Sequence, residues 1–442
     1  MERITSLVEK YLERLPFVSV IIESRKEKHR KGIFETIKEL IGKMHLMNTT
    51  EVFPVIQDIP MFNMVSAILP RNMIEDFGQS HEVRKIYLNQ IMSVQNFTSI
   101  NLPVLDRNGI YKVEKGALGK YQRFTSLYHV KRIVGGFDAN NLGFDGSGVT
   151  VGVIDTGCQR FHPMLKHVKR DSVRFLDIDA NGHGTWCCSA VFGRFAVDAE
   201  MSEKVGKAVP CEGIAPNSRG VSIKALGAVI GVGSTSDIIK GIELAVNRYG
   251  CEILSMSLGG KCKAERIEDD PYYQVFEKIV NEHDVIPIVA AGNFGPEPHS
   301  ICSPGVMPQA LTVGAYDPVT GRIASFSSRG PTKYGDIKPD CIAPGVQIDG
   351  ACSGLLDKLG DNNFSGFSPL SGTSMSTPIT AGIICCMKQA YEYYLDERFT
   401  VDEIKKMLEI MGDEKDNEKG WGPITWKMFV DYMDTEYSIK IR

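Results

Sequence analysis

No apolar stretch in the chain reaches the roughly 20 residues a transmembrane helix needs, so no membrane span is expected. Excess charge of one sign is also missing. Lys plus Arg total 50 and Asp plus Glu 54, a formal net charge of −4. That balance offers no electrostatic case for nucleic acid or an acidic membrane as a partner. Cysteine is absent before Cys158, and none of the eleven cysteines forms a Cys-x-x-Cys pair, which removes the commonest zinc framework. Met1 to Pro16 lacks a signal-peptide core; its apolar residues Ile4, Leu7, Val8, Tyr11, Leu12 and Leu15 have helical spacing instead. An odd number of cysteines without such a leader points to thiols in a reducing compartment. The expectation is a cytoplasmic protein, with secretion as the alternative. Cys187-Cys188 and Cys385-Cys386 read as small buried side chains in helices.

What is present is ordinary for a large globular protein: 442 residues, 43% apolar and 24% charged, enough for two or three domains. Residues 17 to about 93 alternate as a small α+β unit. Phe17 to Ile22 is strand-like, Ile33 to Met44 has helical spacing, Val52 to Leu69 reads as two strands or one bent one, Asn72 to Phe77 as a short helix, and Val83 to Met92 as a last strand. The order β-α-β-β-α-β is that of a ferredoxin-like fold. Periodicity fades from 95 to 121, where Pro103, Asp106-Arg107-Asn108-Gly109 and Gly116 are turn signals, so this is the linker. The predicted division is 1–94, 95–121 and 122–442.

Beyond the linker, strand-like runs alternate with helical ones. Val149 to Asp155, Val221 to Leu226, Glu252 to Ser257 and Val285 to Ala291 are the strands, with helices from about Gly184, Ser236 and Tyr272 between them. This predicts an α/β fold with a doubly wound, mostly parallel sheet flanked by helices. Ligands in such sheets bind beyond the carboxyl ends of the strands.

Four polar residues stand at such places. Ser374, in Ser371-Gly372-Thr373-Ser374-Met375, opens an apolar, alanine-bearing helical run to Tyr394; amide donors at a helix start suit a nucleophile, although a serine there is also an ordinary cap. Asp155 ends an apolar strand before Thr156-Gly157 and is placed to orient a partner or simply to cap a turn. His183 sits between two glycines, accessible at a strand-to-helix passage. Asn293 follows the apolar run Ile288 to Ala291, where its amide is able to donate to an oxyanion.

Taken together and in this order, Asp155-Thr156-Gly157, Gly182-His183-Gly184-Thr185, Ala291-Gly292-Asn293 and Gly372-Thr373-Ser374-Met375 resemble the motifs of the subtilisin-like serine proteases, the subtilases. Gly213-Ile214-Ala215-Pro216-Asn217, Ser255 to Gly260, Phe326 to Gly330 and Lys338 to Gly345 resemble further segments of that family, and the likeness runs from about Tyr128 to the C-terminus. It implies a serine endopeptidase acting on protein or peptide substrates through an acyl-enzyme, with Asp155, His183 and Ser374 as triad and Asn293 as oxyanion donor. It also implies substrate-binding residues: Ser257, Leu258, Gly259 and Gly260, with Gly231 and Gly233. No cofactor is implied for the chemistry. Structural calcium is common in the family; Asp198, Glu200, Glu203 and Asp361 read as loop carboxylates, but none forms a recognisable calcium loop. The sequence departs from the family pattern at Trp186, where a second histidine is usual, and at Ser376-Thr377-Pro378-Ile379-Thr380. Cys158, three residues after Asp155, is either a target for inhibitory mercurials or an inert side chain. Many subtilases begin with an inhibitory propeptide of ferredoxin-like shape, so the N-terminal unit is expected to be a pro-domain, an intramolecular inhibitor removed by autoprocessing within the linker. The alternatives are an N-terminal domain retained for regulation or partner binding, and a non-catalytic peptide-binding relative.

Overall fold

The computed structural model describes residues 3–15, 17–46, 56–94, 111–115, 120–173, 176–227, 230–354, 356–357 and 366–441. Seven parallel strands make the central sheet, in the spatial order Cys341–Pro344, Leu311–Tyr316, Ile286–Ala290, Ile253–Met256, Thr150–Asp155, Arg219–Lys224 and Lys169–Ser172. The first strand in sequence, Thr150–Asp155, lies inside this order. The chain winds outward from it to one edge, returns, and then builds the other side. Its carboxyl end is therefore at the point where the winding reverses, the usual place for a ligand crevice.

Both faces of the sheet are covered, which is why its central strands read as continuous apolar runs rather than alternating ones. The helices His183–Phe192 and Thr373–Leu395 pack against each other on one face, in a core that includes Val151, Val153, Ile288, Trp186, Ile379 and Ile383. Thr235–Glu243 and Pro271–His283 cover the other face through Ile238, Ile242, Val275 and Ile279.

The N-terminal unit is a four-stranded antiparallel sheet. Its strands are β1 (Phe17–Ser24), β2 (Gln57–Ile59), β3 (Met64–Pro70) and β4 (Val83–Leu88), arranged β2-β3-β1-β4. Val18, Val20 and Ile22 pack with Ile33, Ile37 and Ile74 of the unit's own helices Glu27–Leu46 and Arg71–Gln79. Ile21, Met64 and Tyr87 belong instead to the core formed with the Thr235–Glu243 and Pro271–His283 helices. The sheet is thus apolar on both faces because a second body covers the outer one.

The run Val83 to Met92 is two strands rather than one. After β4 the chain turns at Asn89 and Gln90, which cap the Thr235–Glu243 helix: Ser236 N donates to Asn89 Oδ1 at 3.0 Å and Thr235 N to the Gln90 carbonyl at 2.9 Å. Ile91–Val94, β5, then pairs with the larger body. Part of the expected linker is also regular. Tyr111–Lys115 and Lys120–Ser126 form an antiparallel hairpin, and the second strand pairs in parallel with Ile348–Ala351. Arg123 holds that hairpin to the larger body through a buried ion pair with Asp317, 3.2 Å. The turn signals at Pro103, Asp106 to Gly109 and Gly116 lie outside the described residues.

Candidate active site

Asp155 ends a strand that is buried at every position. Its Oδ1 accepts from Thr156 N at 2.7 Å and stands 2.7 Å from His183 Nδ1, both side chains being fully buried. The Asp155 carbonyl accepts from Ala225 N and Leu226 N, which pins the strand tip to its neighbour.

His183 is the first residue of its helix. Gly182 before it has φ 101°, a left-handed value that glycine takes without strain. Gly184 after it is needed for space: a Cβ there would stand 2.2 Å from the Gly157 carbonyl oxygen. The glycines flanking His183 are thus what allow the Asp155 turn and the His183 helix to touch. Asp179, which the sequence reading missed, organises the approach. Its Oδ1 accepts from Thr156 Oγ1, Asn181 N and Gly182 N, and its Oδ2 from Thr185 N and Thr185 Oγ1, at 2.6–3.1 Å. The signal was an aspartate four residues before the histidine and a threonine two after it, a helix-start pattern.

Ser374 lies in the first turn of the Thr373–Leu395 helix. Its Oγ donates to the Ser257 carbonyl at 3.0 Å. Pro378 sits four residues further on and has no N–H, so the Ser374 carbonyl lacks its helical donor. Ser257 Oγ replaces it at 2.9 Å, with the Cys187 thiol at 3.7 Å. The proline thus frees a carbonyl that ties Ser374 to Ser257 and to the His183 helix.

Asn293 lies three residues past the Ile286–Ala290 strand. Its Oδ1 accepts from both Thr373 N and Thr373 Oγ1 at 2.9 Å. Holding the carbonyl end fixes the amide plane, and Nδ2 is the group a Cβ on Gly372 would meet at 3.0 Å. The amide donor therefore sits beside the start of the Ser374 helix, where peptide N–H groups also gather.

Five of the six expected substrate-binding residues, Gly231, Gly233, Leu258, Gly259 and Gly260, lie along β5. Ile91–Val94 runs antiparallel between Val232–Ser234 and Leu258–Gly259, as the middle strand of a three-stranded sheet. Leu258 faces Val94, Gly259 faces Ser93, and Gly233 faces Met92. Val94 N donates to the Gly231 carbonyl at 2.9 Å. Met92 and Val94 are buried, while Ile91 is 78% exposed. A Cβ at Gly231 would meet Val94 at 2.6 Å, and one at Gly260 the Met92 sulfur at 3.1 Å, so the glycines make room for the occupant's side chains.

The thiol nearest the acid and base is Cys187, not Cys158. Cys187 stands one helical turn after His183, with Sγ 3.8 Å from His183 Nδ1. Burial, then the Asp155 carboxylate, push its thiol well above the ordinary range, so it stays protonated and is no rival nucleophile. Cys158 turns instead toward Arg170 and the Gln159 carbonyl. Nearness to Asp155 in sequence pointed to Cys158, whereas helical periodicity from His183 points to Cys187. The three described carboxylates considered for calcium form no metal-ligating cluster among the described residues. Asp198 caps the Ala199–Val205 helix, Glu200 and Glu203 lie on that helix rather than in a loop, and Asp361 is outside the described residues.

A model of the subtilase family matches residues 146–422. Serine protease AprX of Bacillus subtilis (strain 168) is 31% identical over 427 residues, 90% of this chain and 84% of AprX. Subtilisin Savinase of Lederbergia lenta is 32% identical over 256 residues, 57% of this chain and 80% of Savinase. The alkaline protease of Alkalihalobacillus alcalophilus is 33% identical over 256 residues, 57% of each chain. These comparisons overturn the cytoplasmic expectation. They include a subtilisin and an alkaline protease, and buried thiols with a missing leader pattern are no ground for placing this chain in the cytoplasm.

Proposed function

The chain belongs to the subtilase family and is a subtilisin-like serine endopeptidase, and we propose that Asp155, His183 and Ser374 are its triad and Asn293 its oxyanion donor. As a subtilase it needs no cofactor for catalysis. Ser374 Oγ attacks the scissile carbonyl after turning from the Ser257 carbonyl toward His183. His183 Nε2 takes its proton and passes it to the leaving amine. Asp155, through the 2.7 Å contact at Nδ1, fixes the tautomer and stabilises the imidazolium. Asn293 Nδ2 meets the negative charge on the tetrahedral intermediate, which is then resolved to an acyl-enzyme and hydrolysed. The observation that carries this reading is the buried Asp155–His183 pair, strand tip to helix start, with the Cys187 thiol against both His183 and the carbonyl of the serine in the first turn of the Thr373–Leu395 helix.

The N-terminal unit is a ferredoxin-like pro-domain that inhibits the enzyme from within the same chain, and the enzyme is made as a zymogen that cuts itself. Two observations support this. The strand order β2-β3-β1-β4 is that of a ferredoxin-like sheet, and β5 occupies the substrate groove as an added strand. Tethering raises the local concentration of β5 at the groove to about the millimolar range, so modest contacts suffice. The register also predicts the bond that is cut. Val94 faces Leu258, and Ser257, the residue before Leu258, has its carbonyl 3.0 Å from Ser374 Oγ. Cleavage is expected between Gln95 and Asn96.

A fluorophosphonate probe tests the catalytic assignment. It should label the wild type on Ser374 and leave Ser374→Ala unlabelled. Equal labelling of the mutant would remove Ser374 from the mechanism.

A further inference from the structure

Two segments meet at the contact between acid and base: the loop that follows Asp155 and the start of the His183 helix. They are joined at two points. Gly184 N donates to Thr156 Oγ1 at 2.8 Å, and Gln159 N donates to Thr185 Oγ1 at 3.0 Å. Each acceptor is a hydroxyl, so its own proton must point elsewhere before a lone pair can face the amide. One carboxylate takes both protons. Thr156 Oγ1 donates to Asp179 Oδ1 at 3.0 Å, and Thr185 Oγ1 to Asp179 Oδ2 at 2.6 Å. The peptide N–H of the same Thr156 donates to Asp155 Oδ1, the oxygen that faces His183 Nδ1. Thr156 thus holds the acid with its backbone and the histidine's helix with its side chain. Asp155, Thr156, Asp179, His183 and Thr185 are all buried, so water does not compete for these bonds.

We propose that Thr156 and Asp179 are positioning residues for peptide hydrolysis: the Thr156 hydroxyl, aligned by the Asp179 carboxylate, sets the distance between Asp155 and His183. Capping alone would account for the bonds to Asp179 from Asn181 N, Gly182 N and Thr185 N. It does not account for Thr156, which lies outside the helix and links that cap to the acid. Among the described residues, neither Thr156 nor Asp179 hydrogen-bonds to β5 or to the strands that flank it, so the pair acts on the chemical step and not on substrate binding. The effect on rate rests on the triad reading above; the effect on the contact between Asp155 and His183 does not.

Thr156→Val keeps the shape and the backbone N–H and removes the hydroxyl, whereas Thr156→Ser keeps the hydroxyl. In the processed enzyme, Thr156→Val should lower kcat for a peptide substrate roughly 10–100-fold with KM little changed, the upper figure being that for a misplacement of about 1 Å. Thr156→Ser should restore most of the rate. The geometry is read without catalysis in the full-length Ser374→Ala chain, from the downfield proton NMR resonance of the hydrogen bond at His183 Nδ1. Adding Thr156→Val there should shift or abolish the resonance, and adding Thr156→Ser should retain it. Thr400→Val removes the cap on Glu403 N of another helix; it should lower resistance to urea and leave kcat and the resonance alone. If Thr156→Val fails to fold, Asp179→Asn takes its place with the same losses expected, because its amide nitrogen cannot accept from a hydroxyl. An unchanged kcat, a raised KM at constant kcat, an unmoved resonance, or a Thr156→Ser chain as slow as Thr156→Val would overturn the assignment. If the resonance moves as expected but the wild type is never labelled at Ser374 by fluorophosphonate, the triad reading fails and the link from Thr156 to the Asp155–His183 contact stands.

Discussion

The pro-domain reading makes a quantitative demand on one side chain of β5. Met92 is 3% exposed, and it is buried against the catalytic region rather than within the N-terminal unit's own core. Its sulfur lies over Gly260, and its backbone faces Gly233. Met92→Ala therefore spares the N-terminal unit's own core and removes contacts with the groove. Burying a methionine side chain is worth about 1.5–3 kcal/mol. At 1.4 kcal/mol per factor of ten, the N-terminal fragment carrying Met92→Ala should inhibit the processed enzyme roughly 10–100-fold more weakly. Ile91→Ala is the control, because Ile91 is 78% exposed in the same strand. Inhibition constants from progress curves, with circular dichroism to compare the fragments, decide the matter. Equal weakening by both variants, or no weakening by Met92→Ala, would refute the argument that β5 inhibits by filling the groove.

Asn293→Ala should lower kcat by about 10²–10³ with little change in KM, since its bond strengthens mainly in the transition state; near-normal kcat would remove it from the oxyanion site. Asp270 caps the Pro271–His283 helix, and burial pushes its carboxyl up to about 6 against the opposing hydrogen bonds from Ser303 and Tyr272 N. The native state then keeps a proton that the unfolded chain has released between about pH 4 and 6, so this group's contribution falls as pH rises through that window. The loss is on the order of 3 kcal/mol and is complete above about pH 6. Asp270→Asn keeps the cap on Tyr272 N and should flatten that part of the urea-unfolding profile; an unchanged slope would contradict the burial argument.

How much was legible depended on whether residues signalled locally. Apolar runs ending in a polar residue marked the strands that carry Asp155 and Asn293, because a sheet covered on both faces requires such runs. The edge strand Lys169–Ser172 was not visible: Lys-Arg-Asp-Ser carries no apolar signal and is held by its pairing with Val221–Lys224. Val83 to Met92 looked continuous because nothing local reveals that Asn89 and Gln90 are taken up in capping a helix almost 150 positions away in the chain. Tyr111–Lys115 and the start of Lys120–Ser126 read as linker for a similar reason, since the second strand finds its other partner only at Ile348–Ala351. Cys187 was legible in principle, one turn from His183. Its carboxylate neighbour, though, is brought to it by the fold, and no spacing in the sequence records that.

The claim at the centre of the account is that one site both performs the chemistry and releases its own inhibitor. The most direct measurement is the intact mass of wild type and Ser374→Ala expressed side by side, with the N-terminus of each product sequenced. The account predicts a wild-type product that begins at Asn96 and a mutant that remains full length. A mutant cut at the same bond, or a fully active wild type that keeps residues 1–95 attached, would contradict it, and the second result would make the N-terminal unit a retained module.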